Sequence, residues 1–251
     1  MIQTKFSKTM KDTLIEDLKA LTTDGNNAFL PKEPLKDYAG LKTALTKANG
    51  KYSRNSFSFP YPAKAIIGML ISGKVIDFKK EFQFFHTDKT VAEQMINEIL
   101  GYPERILEPS AGHGHLIDLL IERFPDSKID AVELSELNFS ILKEKYKDNP
   151  NINLIQGDYL EFIPDKKYDL IFANPPFSKN QDIEHVLKMY SEMEESRGQL
   201  ISIMSSSWTF GSQKKQVEFR TFAEENFTIR TNDNGAFKSS GTMVQSVMIT
   251  G

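Results

Sequence analysis

Three acids constrain this chain more than any other feature. Glu108, Glu133 and Asp158 stand 25 residues apart. Each falls at the end of an apolar segment: RILEP (105–109), KIDAVEL (128–134) and INLIQGD (152–158). The intervening segments, 114–123 and 136–147, have helical apolar spacing. Upstream, Thr87 or Asp88 can cap a helix reaching Leu100, with Val91, Met95, Ile96 and Ile99 on one face. Downstream, YDLIFANPP (168–176) and QLISIMS (199–205) read as strands and 180–194 and 213–226 as helices, before FTIRTN (227–232) and TMVQSVMIT (242–250) close the chain as strands. Repeated strand–helix units predict a mostly parallel sheet with helices on both faces. The two consecutive strands at the end predict an antiparallel edge pair.

The first third differs. Leu14, Ile15, Leu18 and Leu21 predict a helix within 4–22, and Gly25, Pro31, Pro34 and Gly40 mark 23–40 as loop. A second helix is expected over 35–48, a strand or extended arm over 51–62, and a helix over 63–72; no internal repeat is visible. The net charge of −3 hides an asymmetry: residues 1–80 carry +7, residues 81–200 carry −11 and residues 201–251 carry +1. A basic first third beside an acidic middle fits a polyanion met by one part of the molecule. Across 251 residues there is no cysteine and there are four histidines, which excludes disulfides, thiolate metal sites and a cysteine nucleophile, and no metal site is expected. Apolar runs fall short of the roughly 18 residues a membrane span needs, and no secretory signal is visible, so a soluble, cytoplasmic protein with no membrane partner is expected.

In such sheets ligands lie beyond the carboxyl ends of the strands. There stand Glu108-Pro-Ser-Ala-Gly-His-Gly114, Glu133, Asp158 and Asn174-Pro-Pro-Phe177. Gly112 and Gly114 allow a tight turn where backbone approaches a ligand. Glu133 is placed to bind ribose hydroxyls, and Asp158 to accept from an adenine amine. The turn lacks the third small residue of a dinucleotide fingerprint, and Glu108 within it would repel a pyrophosphate. A ligand with ribose and adenine but no phosphate suits these acids better. S-adenosylmethionine is such a ligand, and its ammonium and sulfonium charges favour acidic surroundings.

Asn174 emerges at the same edge of the sheet. Pro175 and Pro176 fix the backbone and remove amide donors, leaving the Asn174 side-chain oxygen and the Pro175 carbonyl as acceptors. An amine conjugated to a ring is a poor nucleophile because its lone pair is delocalised. Two acceptors holding its hydrogens would draw it toward tetrahedral geometry and free that lone pair. Phe177 supplies a stacking face worth about 1–3 kcal/mol per base. These features point to methyl transfer to an exocyclic amine.

In order along the chain, FHT (85–87), EPSAGHG (108–114), VEL (132–134), GDYL (157–160), NPPF (174–177) and FKSSGT (237–242) resemble the motifs of amino-methylating DNA adenine methyltransferases, in the arrangement of their gamma group. The resemblance covers about 81–251 and implies a class I, Rossmann-like, seven-stranded sheet of order 3-2-1-4-5-7-6. It implies that Phe85 and Thr87 border the methionine end of S-adenosylmethionine. Ser110, Ala111, Gly112 and Gly114 would line its backbone side, with Glu108 facing the ammonium. Glu133 would hold the ribose, Leu134 would pack on the adenine, and Asp158, with Tyr159 beside it, would bind the adenine amine. Asn174, Pro175, Pro176 and Phe177 would be the catalytic set, and Phe237 would meet the target base opposite Phe177. The family usually has proline where Asp88 stands.

The expected organisation is thus an N-terminal, basic, partly helical extension (1–80) contacting nucleic acid and a methyltransferase domain (81–251). The expected activity is transfer of methyl from S-adenosylmethionine to N6 of adenine in DNA. Gamma enzymes often carry a recognition domain after the last motif, so recognition is expected from residues 1–80, from loops 177–185 and 205–240, or from a partner or second copy. The polar, basic segment SSSWTFGSQKKQ (205–216) reads in two ways: with Trp208 and Phe210 exposed it would surround a flipped nucleotide, and alternatively Trp208 is a core anchor. Competing readings are an RNA guanine- or adenine-amine methyltransferase, a protein-glutamine methyltransferase (which typically has tyrosine in place of Phe177), and a non-catalytic nucleic-acid-binding module on the same scaffold.

Overall fold

The computed structural model describes residues 12–73, 87, 89–232 and 245–251. The chain divides into two compact units, Met1–Phe84 with Lys143–Lys145, and Phe85–Leu142 with Tyr146–Gly251.

The smaller unit opens with α1 (Asp12–Lys19) and a hairpin of β1 (Thr22–Asp24) and β2 (Asn27–Phe29). It continues with α2 (Tyr38–Lys47), a second hairpin of β3 (Lys51–Ser53) and β4 (Ser56–Ser58), and α3 (Ala63–Ile71). The segment 23–40, expected as loop, therefore contains most of the first hairpin, while α2 falls within the helix expected over 35–48. Strands of three residues carry too little alternation to be read from sequence. The unit also contains the repeat that the sequence conceals. Each helix feeds a hairpin with a two-residue loop whose first residue has positive φ, Gly25 (+50°) in one and Arg54 (+55°) in the other. The hairpins pair through β2 and β4, with Ala28 opposite Phe57. Reciprocal bonds flank that pair: Leu30 N–H donates to Asn55 O (3.0 Å) and Phe59 N–H to Asn26 O (2.9 Å). The arrangement is a local two-fold in which backbone roles match while most side chains differ, Asn26 and Asn55 being shared in the loops. Leu18, Ala28, Leu41, Leu45, Phe57 and Ile66 fill the unit's core, all fully buried.

The larger unit is built on a seven-stranded sheet. Its elements in chain order are α4 (Lys89–Asn97), β5 (Arg105–Glu108), α5 (His115–Arg123), β6 (Lys128–Glu133), α6 (Glu136–Lys145) and β7 (Ile152–Gln156). They continue with β8 (Leu170–Ala173), α7 (Gln181–Glu192), β9 (Gln199–Ser205), the short α8 (Ser207–Phe210), α9 (Lys214–Asn226), β10 (Thr228–Thr231) and β11 (Ser246–Thr250). The sheet order is β10-β11-β9-β8-β5-β6-β7. That is the expected 3-2-1-4-5-7-6 when its strands are counted from β5. Pairings from β9 to β7 are parallel, and β11 is antiparallel to both β9 and β10. The central strands are buried on both sides; Leu170, Ile171, Phe172 and Ala173 of β8 are at most 1% exposed. One apolar cluster, including Ile106, Leu120, Ile129 and Phe172, and a second, including Leu107, Ile171, Val186 and Trp208, fill the two sides. Two-sided burial is what continuous apolar strands such as LIFA and ISIM require.

Trp208 decides between the two readings of its segment in favour of the core anchor. It is 1% exposed, with its ring edge-on to Phe219 at 5.0 Å, and belongs to the core. The segment around it is a single turn of helix, not an open loop. The Arg220 guanidinium closes it by donating to the carbonyls of Trp208, Thr209 and Gly211. Phe210, 73% exposed, keeps its expected place on the surface. Among the described residues, no helix is long and apolar enough to cross a membrane.

Candidate active site

The parallel strands end along one edge, and the singled-out residues follow them. Glu108 closes β5 and is 1% exposed, with its Oε1 accepting the Ser110 N–H at 3.0 Å. Burial, partly offset by that bond and reinforced by nearby Glu133, pushes its carboxyl up to about 8. The turn after it is held from both sides. Ala111 N–H donates to Val132 O (2.9 Å), and Gly112 N–H to Glu133 Oε2 (2.7 Å). Glu133 also accepts from Ser135 N–H at Oε1 (2.7 Å), so its carboxylate organises the glycine turn and the start of α6 together. Ser135 in turn caps α6 by accepting from Asn138 N–H.

Gly114 has φ +80° and precedes α5. The Tyr146 hydroxyl lies 2.7 Å from both its carbonyl oxygen and Asp118 Oδ1. A Cβ on Gly114 would sit 2.3 Å from that hydroxyl oxygen. Nothing in the spacing of the chain singles out Tyr146, 32 residues along, as the support of this turn. Gly114→Ala is therefore expected to combine left-handed strain of about 1–2 kcal/mol with displacement of Tyr146, lowering Tm by several degrees and weakening cofactor binding. Thermal denaturation and calorimetry of the variant check both effects.

Asp158 follows β7 and starts a 3-10 turn at Tyr159–Glu161, its Oδ1 accepting from Leu160 N–H (2.9 Å). Leu134 is 69% exposed beyond β6. Tyr159 is placed differently from its neighbour. It is 2% exposed, its hydroxyl donates to Glu192 Oε2 (2.6 Å), and its ring lies against His185. Its side chain thus anchors the 3-10 turn to α7 and is turned into the core.

After β8, Asn174 is 8% exposed. Its Nδ2 donates to Thr87 Oγ1 (3.0 Å), while its buried Oδ1 has no hydrogen-bond partner among the described residues. Thr87 is itself 5% exposed. This bond, across 87 residues of sequence, is the site's least foreseeable contact. It joins a residue expected at the cofactor to the residue expected at the amine. Pro175 is buried and Phe177 half-buried against the core. Nearby, Asp182 at the start of α7 is fully buried and accepts the Ser205 N–H (2.9 Å), tying α7 to the end of β9; burial raises its pKa. Phe85, Asp88, Phe237 and the FKSSGT segment lie outside the described residues.

The turn and strand ends 108–114, 133–135, 157–160 and 174–177 contain Glu108, Glu133 and Asp158 and no lysine or arginine. Such a donor set suits a cationic ligand with hydroxyls and disfavours a pyrophosphate. A family model for the methyltransferase small domain matches residues 85–219, more than half of the chain. The chain belongs to the methyltransferase small domain family. As a member of that family it has the class I methyltransferase fold, with S-adenosylmethionine as cofactor. A malonyl-[acyl-carrier protein] O-methyltransferase of Ilyobacter polytropus is 39% identical over 88 residues, 35% of this chain and 32% of that protein. Type II methyltransferase M.AccI of Acinetobacter calcoaceticus is 31% identical over 112 residues, 44% of this chain and 21% of that protein. The matched stretches thus span about a third or less of either relative. Among solved structures, the methyltransferase subunit of a type I restriction-modification system from Streptococcus thermophilus aligns with a TM-score of 0.58. The alignment covers 75% of this chain and 49% of that one at 15% identity, a likeness of fold. In this methyltransferase small domain, the buried acid of the glycine turn and the Thr87–Asn174 pair are the chemically distinctive elements.

Proposed function

We propose that this protein transfers the methyl group of S-adenosylmethionine to the exocyclic N6 amine of adenine in DNA, with a site like that of the gamma-group enzymes. The observation that carries this reading is Asn174. Its amide nitrogen is engaged by Thr87 Oγ1, and its buried Oδ1 has no hydrogen-bond partner among the described residues. An acceptor desolvated in this way costs about 1–3 kcal/mol unless a donor arrives. An amine hydrogen is such a donor. With the Pro175 carbonyl as second acceptor, the amine is held by both hydrogens and its lone pair is directed outward. Phe177 offers the face on which the ring stacks. The amine nitrogen gains the methyl carbon as the sulfur–carbon bond breaks, and its surplus proton then leaves to solvent. A base inside a duplex cannot reach a pocket at a sheet edge, so the adenine is extruded at a cost of a few kcal/mol, which stacking on Phe177 offsets.

Around the cofactor, Glu108 would face the ammonium, Glu133 the ribose and Asp158 the adenine amine, with Leu134 against the adenine. Similarity to M.AccI supports the nucleic-acid reading. Similarity to a malonyl-[acyl-carrier protein] O-methyltransferase names the chief competitor. A carboxylate acceptor, however, calls for donors or cations at the reacting oxygen, and the side-chain atom of Asn174 left for a substrate is an acceptor.

The test is product identity. The full chain is incubated with methyl-labelled cofactor and, in parallel, DNA, RNA, bulk protein and malonyl-loaded carrier protein, and digests are read by mass spectrometry. N6-methyladenine from DNA is expected. Label confined to guanine, glutamine or a carboxyl ester overturns the proposal.

A further inference from the structure

The two copies of the helix–hairpin repeat have parted in charge. The first, residues 12–31, holds Asp12, Glu16, Asp17 and Asp24 against Lys19. The second, residues 38–60, holds Lys42, Lys47, Lys51 and Arg54 and no acid. Two of the acids of the first serve the fold: Asp17 accepts the backbone N–H groups of Lys36 (2.9 Å) and Asp37 (2.6 Å), and Glu16 pairs with the Lys36 ammonium. The four cations of the second are all exposed, and none joins an ion pair among the described residues. Lys42 lies over the ring of Tyr52, its Nζ 5.6 Å from the centroid, and Tyr52 itself is 45% exposed. A cleft of about 360 Å³, lined by Asn49, Lys51, Ser58, Phe59 and Pro60, opens in the same copy.

Arg54 is the second, independent pointer. Where the first copy has Gly25 at φ +50°, the second places an arginine at φ +55°. Two-residue hairpin loops with positive φ favour glycine, asparagine or aspartate, and a long side chain there is held at a cost in strain. Strain retained at an exposed, unpaired cation is accounted for by a contact that needs the cation.

We infer that residues 38–60 form the DNA-backbone contact of this protein, with Lys42, Lys47, Lys51 and Arg54 neutralising phosphates of duplex DNA while the first copy serves as its scaffold. The inference deepens the DNA reading proposed above and rests on it. Each phosphate neutralised adds about 0.9 to the slope of log affinity against log salt on duplex DNA, and about 0.7 on a single strand.

The experiment measures binding of the full chain to duplex DNA, single-stranded DNA and duplex RNA by fluorescence anisotropy across a salt series. Changing all four cations to glutamine should reduce the duplex slope by about 3–4 and weaken binding by at least tenfold near 0.1 M salt. Lys19→Gln with Lys32→Gln should leave both unchanged. Arg54→Gly is the stringent variant. It should raise Tm, by relieving the turn, and yet weaken duplex binding several-fold, a combination that misfolding cannot produce. Unchanged slope and affinity in the fourfold variant overturns the inference while leaving the DNA reading standing. Preference of the wild type for RNA or single strands also overturns it. Methyl product found outside DNA overturns the underlying reading instead.

Discussion

Asn174→Ala is expected to lower methyl transfer by about 10³-fold while leaving cofactor affinity within a few-fold of the wild type. The interaction removed, an acceptor for the amine hydrogen, strengthens as the nitrogen turns tetrahedral and so belongs mainly to the transition state. The two halves are measured separately, turnover by mass spectrometry of digested DNA and affinity by calorimetry. Thr87→Val should reproduce part of the loss, roughly tenfold in kcat, because Asn174 then loses the partner of its Nδ2 and with it a fixed orientation. Thr87→Ser, which keeps the hydroxyl, should recover most of it. An Asn174→Ala enzyme that turns over at near wild-type rate would remove the residue from the chemistry.

Glu108→Gln is expected to make the ligand-free protein more stable and the cofactor weaker. Burial raises the Glu108 carboxyl in the folded state from 4.5 to about 8. For a group shifted in this direction, the stability it contributes is complete below about pH 4.5 and is lost as pH rises toward about 8. The loss amounts to several kcal/mol when the carboxyl is fully ionised. Glutamine keeps the acceptor for Ser110 N–H and cannot ionise. The variant should match the wild type near pH 4.5 and exceed it in Tm by several degrees near pH 8. Cofactor affinity should fall by about 10–100-fold, since a desolvated ammonium loses its counter-charge. In the wild type, cofactor binding near neutral pH should release a proton, detectable as a dependence of the binding enthalpy on buffer; in Glu108→Gln that release should vanish. Equal stability across the pH range in both proteins would show that the carboxyl is not held protonated.

The parts of the molecule legible in its sequence are those where local pattern and tertiary demand agree. Strands such as QLISIMS, buried on both faces, announced themselves by unbroken apolar character, and β9 runs from Gln199 to Ser205 as expected. The strand order followed from the motif resemblance. Site residues at strand ends were legible because a parallel sheet delivers them to one edge. What escaped depends on side chains meeting across long separations. Tyr146 under Gly114 and Thr87 beside Asn174 are set by packing, with no periodic trace. Tyr159 carries a motif position but points into the core, because Glu192 takes its hydroxyl. Trp208 stayed ambiguous in the sequence because its polar neighbours, Ser205 to Ser207 and Gly211 to Lys215, suggest an exposed loop, while Arg220 folds that stretch over the ring. The duplicated hairpins share backbone geometry at Gly25 and Arg54 and a side-chain identity in the loop only at Asn26 and Asn55, too little for comparison of residues to reveal them.

The sheet order has a consequence for synthesis. β11 follows β10 in the chain but lies between β9 and β10, and Leu200 and Gly251 exchange both of their backbone hydrogen bonds across that seam. While the ribosome still holds residues 246–250, β9 exposes an unpaired edge and β10 has no neighbour in the sheet. A nascent chain of this protein therefore carries, until residues 246–250 emerge and pair, an apolar strand edge open to pairing with other chains, the kind of surface that chaperones shield.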